Sequence, residues 1–313
     1  MDANGSRLRV AGILSRKGCP FVRAFRSTLT IAFSVAACRG AAPSVHADVR
    51  DDFGNAVDIG QTRRRIVSLN PTTTEILFAI GAGDRLVGRT QYDIFPDSAK
   101  RVTSLGPGIR PNVEAVLGVR PDLVVLYAST DNKPAADRLR QAGIAVVGFK
   151  IDRIEQFRRV TRLLGRLTGD SLRADSVVDT VSATLVRVRA ATATLPHPTV
   201  FVHAWAKPVI AIAGGSFMTE LLEIAGGRNI YDSIGAPSAT VTLEDVVARN
   251  PEYVLANPLE AKRMRETPSW QAVPAVRRGR ILVYDTSLVA RPSVQLGAAA
   301  RSLAELLHPG ALR

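Results

Sequence analysis

The stretch Val113-Glu114-Ala115-Val116-Leu117-Gly118-Val119-Arg120-Pro121-Asp122-Leu123-Val124-Val125 returns 130 residues later, without a gap, as Leu243-Glu244-Asp245-Val246-Val247-Ala248-Arg249-Asn250-Pro251-Glu252-Tyr253-Val254-Leu255. Each copy reads as a helix with a glutamate near its start, a proline that stops it, and a buried strand. A second pair of words is Thr74-Glu75-Ile76-Leu77 followed by Gly81, and Thr219-Glu220-Leu221-Leu222 followed by Gly226. Internal repeats of this kind predict two lobes of similar build.

Working outward, short β-branched runs alternate with helical patterns. Residues 65–69, 122–127 and 145–149 read as buried strands, with helical segments over Thr74–Ile80 and Ala135–Ala142 between them. The alternation resumes with strands at 199–203, 252–255 and 280–284. Strand–helix alternation at this spacing predicts an α/β fold of two Rossmann-like lobes, each a mainly parallel sheet flanked by helices. Between the halves, Asp152 to Leu195 carries no strand signal. Its second part places Val177, Val178, Val181, Leu185 and Val188 on one helical face. A helix over about 171–194, roughly 35 Å long at 1.5 Å per residue, is long enough to join one lobe to the other. The expected boundaries are an export signal and tether over 1–47, an N-terminal lobe over 48–157, a helical linker over 158–195 with the long backbone helix, and a C-terminal lobe over 196–313.

Of 313 residues, 46% are hydrophobic and 22% charged, which excludes wholesale disorder. The formal charge is +13, but residues 1–37 contribute a net five of it. The remainder is spread over Arg-rich faces without a stripe of stacking aromatics, so a solvated basic surface is expected and nucleic acid is not. Arg23 and Arg26 precede an apolar run from Leu29 to Ala37, the pattern of a secretion signal. Two processing sites compete. Val35-Ala36-Ala37-Cys38 has the form of a bacterial lipobox, which makes Cys38 the acylated N-terminus. Val45-His46-Ala47 fits soluble release before Asp48. Membrane contact is expected only through the signal or that lipid anchor. Neither route leaves a cysteine pair for a disulfide or a thiolate metal site.

From Asp51 to Leu307 the chain resembles the cobalamin, haem and siderophore class of ABC-transporter periplasmic substrate-binding proteins, most of all its vitamin B12-binding branch. The marks, in order, are the opening hairpin Asp51–Val57, the string Arg65-Ile66-Val67-Ser68-Leu69-Asn70-Pro71-Thr72-Thr73-Thr74-Glu75-Ile76-Leu77-Phe78-Ala79-Ile80-Gly81, Tyr92 with Pro96, the strand Pro121–Val124, and Ala225-Gly226-Gly227-Arg228-Asn229. The resemblance implies a ligand held in the cleft between lobes, and delivery to an ABC permease dimer with its ATPase subunits. It implies a monomer in the periplasm or cell envelope. It also gives the repeated glutamates a role. Similar proteins present one surface glutamate per lobe to arginine-lined permease pockets, and the matching positions are Glu114 and Glu244. On spacing alone, each merely complements a helix dipole.

The resemblance points to Tyr92, Tyr127 and Arg291 as ligand contacts, and Trp205, after the first strand of the second lobe, joins them by placement. A corrinoid such as vitamin B12, a large flat apolar disc, suits such rings. Haem and ferric siderophores are the alternatives within the class. For haem, Tyr92, Tyr127 or His203 are the axial candidates; for an anionic siderophore, Arg110 and Arg291. The B12-binding pattern has a tryptophan before the docking helix where this chain reads Gly106-Pro107-Gly108-Ile109-Arg110. The four histidines are scattered and offer no metal spacing. No catalytic cofactor is expected, and no catalysis: there is no GxSxG, P-loop or HExxH, and Gly81-Ala82-Gly83 lacks the third glycine of a dinucleotide fingerprint. Gly214-Gly215-Ser216 reads as a tight turn, or as an anion site opening a helix. The rival classes are an exported Rossmann-like enzyme and a ligand sensor without a transporter.

Overall fold

The computed structural model describes residues 49–289 and 291–312. The export region, with Cys38 and the site after Ala47, lies outside the described residues. The first half runs β1 (Ile66–Leu69), α1 (Pro71–Ala79), β2 (Leu86–Gly88), α2 (Val113–Gly118), β3 (Leu123–Tyr127), α3 (Lys133–Gln141), β4 (Ala145–Phe149) and α4 (Ile154–Thr168). Then comes α5 (Ser171–Thr192). The second half is β5 (Thr199–Ala206), β6 (Val209–Ile212), α6 (Phe217–Ile224), β7 (Arg228–Asn229), β8 (Ser238–Thr240), α7 (Leu243–Arg249), β9 (Tyr253–Ala256), α8 (Pro258–Glu266), α9 (Pro274–Arg277), β10 (Ile281–Val283), α10 (Thr286–Val289) and α11 (Leu296–Leu307).

The first sheet has the order β2-β1-β3-β4 and is parallel throughout. Its strands are covered on both faces, which is why β3 reads as an apolar run and β1 as one broken only by buried Ser68, whose hydroxyl pairs with Thr73. The second sheet is mixed. β10, β9 and β7 run parallel to the first half of β5, at Thr199–Val202. From His203 on, β5 turns back through Lys207 and Pro208 into an antiparallel ladder with β6 and then β8. The expected parallel pairing therefore holds for β10, β9, β5 and β7, and this hairpin adds an antiparallel extension that makes the sheet mixed.

The 130-residue repeat extends to the backbone. Asn112 and Thr242 cap α2 and α7 by accepting the N–H of Ala115 and Asp245. Both helices end at a residue in the left-handed region, Arg120 at φ 49° and Asn250 at φ 45°, directly before the repeated proline. Asp122 then accepts the N–H groups of Arg64 and Arg65, and Glu252 that of Thr199. Each acid ties its own strand to the first strand of its half.

α5 holds the halves together. Ala174, Val178, Val181, Leu185, Val188 and Thr192 are buried along it. They pack against α1 and α4 on one side and α6 and α11 on the other. The resulting apolar cluster is continuous from Ile66 and Ile76 of the first half to Leu221 and Leu303 of the second. Two smaller clusters fill the outer faces, one around Leu126 and Leu139, the other around Phe201, Tyr231 and Trp270. The described residues cohere as one unit. Leu185→Ala is expected to cost about 2–5 kcal/mol, measured by denaturant unfolding as a lower midpoint with a single transition retained. A loss under about 1 kcal/mol, outside the range for a buried Leu→Ala change, contradicts a shared core at this position.

Candidate functional site

In parallel α/β sheets, ligands bind beyond the C-terminal ends of the strands. In the first half those ends lead into loops that buried acids hold in place. Asp93 accepts the hydroxyls of Thr74 at 2.6 Å and Thr90 at 2.5 Å, and the Thr90 N–H at 3.3 Å. Burial pushes its carboxyl above the ordinary range. With Asp93 turned inward, its neighbours turn outward: Tyr92, Ile94 and Phe95 are exposed. The Gln91 N–H bonds the Gly106 carbonyl, which lays this loop beside residues 106–110. There Gly108 passes so close to the end of β1 that a Cβ would stand 2.4 Å from the Leu69 carbonyl oxygen. A side chain has no room at that position, and Ile109 is the exposed apolar residue instead. Eight large hydrophobic residues are exposed among the described residues. Four are on these two adjoining loops, and another is Trp205 in the second half.

A cavity of about 650 Å³ opens where the two halves meet. Ile151 and Asp152, after β4, form one wall. The β5–β6 hairpin with Trp205, Ile210 and Ile212 forms another, and Phe217 and Pro292 complete it. Its lining is mostly apolar and its size is usual for a small-molecule site. A larger cavity of about 800 Å³ lies along the same hairpin, lined by Lys207, Glu260, Arg263 and Trp270. It draws on the second half alone, so the first cavity is the candidate site.

The expected ligand contacts fall unequally around it. Trp205 lines the cavity and is 61% exposed. Tyr127 ends β3 and donates its hydroxyl to Asp152 at 3.0 Å. Burial and the Asp152 charge push its pKa up to about 12, so it stays a neutral donor. Tyr92 stands on the exposed loop, outside the cavity lining, and its hydroxyl has no partner among the described residues. Arg291, next to Pro292, is turned inward: its guanidinium lies 3.4 Å from buried Glu75. Arg110 is likewise engaged, bonding Asp131 at 2.7 and 3.0 Å. Asp152, Phe217, Ile94, Phe95 and Ile109 escaped the sequence reading. The signal that finds the last three is large apolar residues inside otherwise polar turns.

Glu114 and Glu244 are each the second residue of their helices and exposed. Glu114 approaches Arg138 at 3.3 Å, a solvent-exposed contact of little energetic weight. His203 is fully buried, edge-on to Phe201 and Trp270, with neither ring nitrogen meeting a partner in hydrogen-bond geometry. It cannot reach a ligand in the cleft as an axial donor. No group of three metal-ligating side chains occurs among the described residues. At Gly214 an added Cβ would meet the Asp232 carbonyl oxygen at 1.9 Å, and the α6 amide of Met218 is already capped by Ser216. That turn serves packing.

Comparison with known proteins fits this geometry. A family model described as periplasmic binding protein matches residues 66–288. An uncharacterised ABC transporter substrate-binding lipoprotein of Bacillus subtilis is 30% identical over 271 residues, covering 83% of this chain and 85% of the relative. The vitamin B12-binding protein of Vibrio vulnificus is 24% identical, covering 73% and 84%. Among solved structures, the periplasmic vitamin B12-binding protein of Vibrio cholerae superposes with a TM-score of 0.69 at 22% identity, covering 78% of this chain and 96% of that one. A periplasmic haem-binding protein from Roseiflexus gives 0.71 at 23%, covering 79% and 99%. These two share the fold.

His203 supplies a pH test of the site's surroundings. Burial pushes its imidazole below the ordinary value, against a smaller opposing pull from Glu260. Below about pH 6.5 the unfolded chain then binds the extra proton and the folded chain does not, so stability falls with pH. His203→Phe is expected to flatten that fall between pH 7 and 5 by up to about 1.4 kcal/mol per pH unit, read by denaturant unfolding. Equal slopes in parent and variant contradict the neutral, buried assignment.

Proposed function

The chain belongs to the periplasmic binding protein family, and from that premise we propose that it is the substrate-binding component of an ABC importer that captures a corrinoid. The observation that carries this reading is a mostly apolar cavity lined from both halves, with the exposed ring of Trp205 on its wall; Tyr92, Ile94, Phe95 and Ile109 are exposed on the loops that follow β2 in the first half. Exposed rings and an apolar lining suit a large planar ligand, whose burial releases water from rings and disc together. Binding holds the ligand; Glu114 and Glu244 then present the loaded protein to the permease dimer as a pseudo-twofold pair of carboxylates. Placement outside the cytoplasm, through the signal and a lipid anchor at Cys38, belongs to the same proposal. The named relatives that bind vitamin B12 support it.

Haem is the second reading, and Tyr92 favours it: an exposed phenol without a partner is free to act as an axial ligand. An anionic siderophore finds less support, because Arg110 and Arg291 already neutralise Asp131 and Glu75.

Cyanocobalamin, haemin and a ferric siderophore are to be titrated in turn, following tryptophan quenching and thermal shift. Saturable, stabilising binding of cyanocobalamin is expected, with Trp205→Ala weakening it about tenfold or more, roughly 1.4 kcal/mol, by calorimetry. Haemin binding that is lost in Tyr92→Phe, with cyanocobalamin inert, overturns the corrinoid assignment. In a second test, the pair Glu114→Gln and Glu244→Gln should leave ligand affinity unchanged and abolish transporter-dependent uptake. Undiminished uptake in that double variant refutes the docking role.

A further inference from the structure

The second internal repeat places a glutamate at equivalent points of α1 and α6, and neither works within its own half. Glu220, on α6, accepts the Arg153 guanidinium at 2.6 Å with one oxygen and the Ile154 N–H at 2.7 Å with the other. Ile154 is the first residue of α4, in the first half. Around the same point the Phe217 N–H bonds the Asp152 carbonyl, and Arg153 bonds the Gly214 carbonyl. Glu75, on α1, reaches the other way. It lies 3.4 Å from Arg291, an ion pair without hydrogen-bond geometry, and accepts the side-chain amide of Gln295 at 3.4 Å, both in the segment that leads into α11. Gln295 is the residue immediately before that helix. Each glutamate thus meets an arginine and the start of a helix belonging to the opposite half.

The remaining residues of each word divide the same way. Thr74 and Thr219 bond inside their own halves, to Asp93 and to the Ala213 carbonyl. Ile76, Leu77, Leu221 and Leu222 enter the shared core. Within four residues, then, the threonine anchors at home, the glutamate crosses to the other half, and the two apolar residues join the core.

We infer that Glu75 and Glu220 are paired positioning residues that set the separation and angle of the two halves, and hence the width of the cleft, whatever ligand fills it. Stability alone does not account for Glu75. Its side chain is 1% exposed and its contacts are long, so the cost of desolvating the carboxylate offsets much of the attraction to Arg291. What a directional carboxylate adds beyond an apolar residue is a fixed geometry between the groups it bonds. Glu220 supplies that geometry through the Arg153 guanidinium and the first N–H of α4, and Glu75 through the Gln295 amide beside the Arg291 charge.

The test is a distance measurement on the unliganded full chain. Its two cysteines, Cys19 and Cys38, are replaced by serine, and spin labels are attached through cysteines at exposed Gln141 on α3 and Lys262 on α8. Pulsed electron resonance should give one narrow distance in the parent. Glu75→Gln and Glu220→Gln should each shift or broaden it, and the double variant more than either, while the melting temperature changes little for Glu75→Gln. A parent-like distance and width in the double variant overturns the inference, whatever happens to its melting temperature. If that variant fails to fold, Arg153→Gln and Arg291→Gln remove the same links from the partner side, and their distances decide in the same way. Because no ligand is added, failure here leaves the proposed ligand untouched.

Discussion

One apolar helix sets the terms for everything else in this protein. α5 buries its valine and leucine face against helices of both halves, so the core that stabilises one sheet is the core that stabilises the other. A close-packed interior of that kind resists being split. Two sheets that share a core are coupled through it, and a single packed helix joins them in place of a flexible strap. The cavity of about 650 Å³ opens where they meet.

The gap becomes a site because of what lines it. Parallel strands direct their C-terminal loops to one edge, and in the first half buried carboxylates fix those loops. Asp93 pins the turn that exposes Tyr92, Ile94 and Phe95. Asp51 does similar work at the opening hairpin, accepting the N–H groups of Phe53, Asn55 and Gly148 and pairing with Arg140. In the second half the departure of β5 into an antiparallel hairpin carries Trp205 out to the cavity wall. The polar groups inside shape the loops, and the apolar groups outside stay exposed.

Much of this was legible in the chain. Strands covered on both faces are β-branched runs, so β1, β3, β4, β5 and β9 declared themselves. The face of α5 showed in the spacing of its valines. The repeat shows in the sequence as helix, proline and strand, and the structure adds the matching caps at Asn112 and Thr242. What escaped was anything decided by a partner distant in sequence. The β6 and β8 strands are short and half-exposed, with no run long enough to signal. Arg291 reads as a ligand contact by resemblance, yet Glu75, 216 residues earlier, already engages it. Asp152 reads only as the start of a stretch without strand signals and is the hydrogen-bond partner of Tyr127. Glu75 and Glu220 matched each other in the sequence, but no local pattern discloses that each crosses to the other half.

The measurement that tests the shared core most directly is native-state amide hydrogen exchange along α5. If the helix is the common core of both halves, the amides of Val178, Val181, Leu185 and Val188 exchange only through global unfolding. Their opening free energies then equal the full stability of the chain and fall together with denaturant. Exchange of these amides through a smaller opening, with one half protected while the other is released, would contradict it.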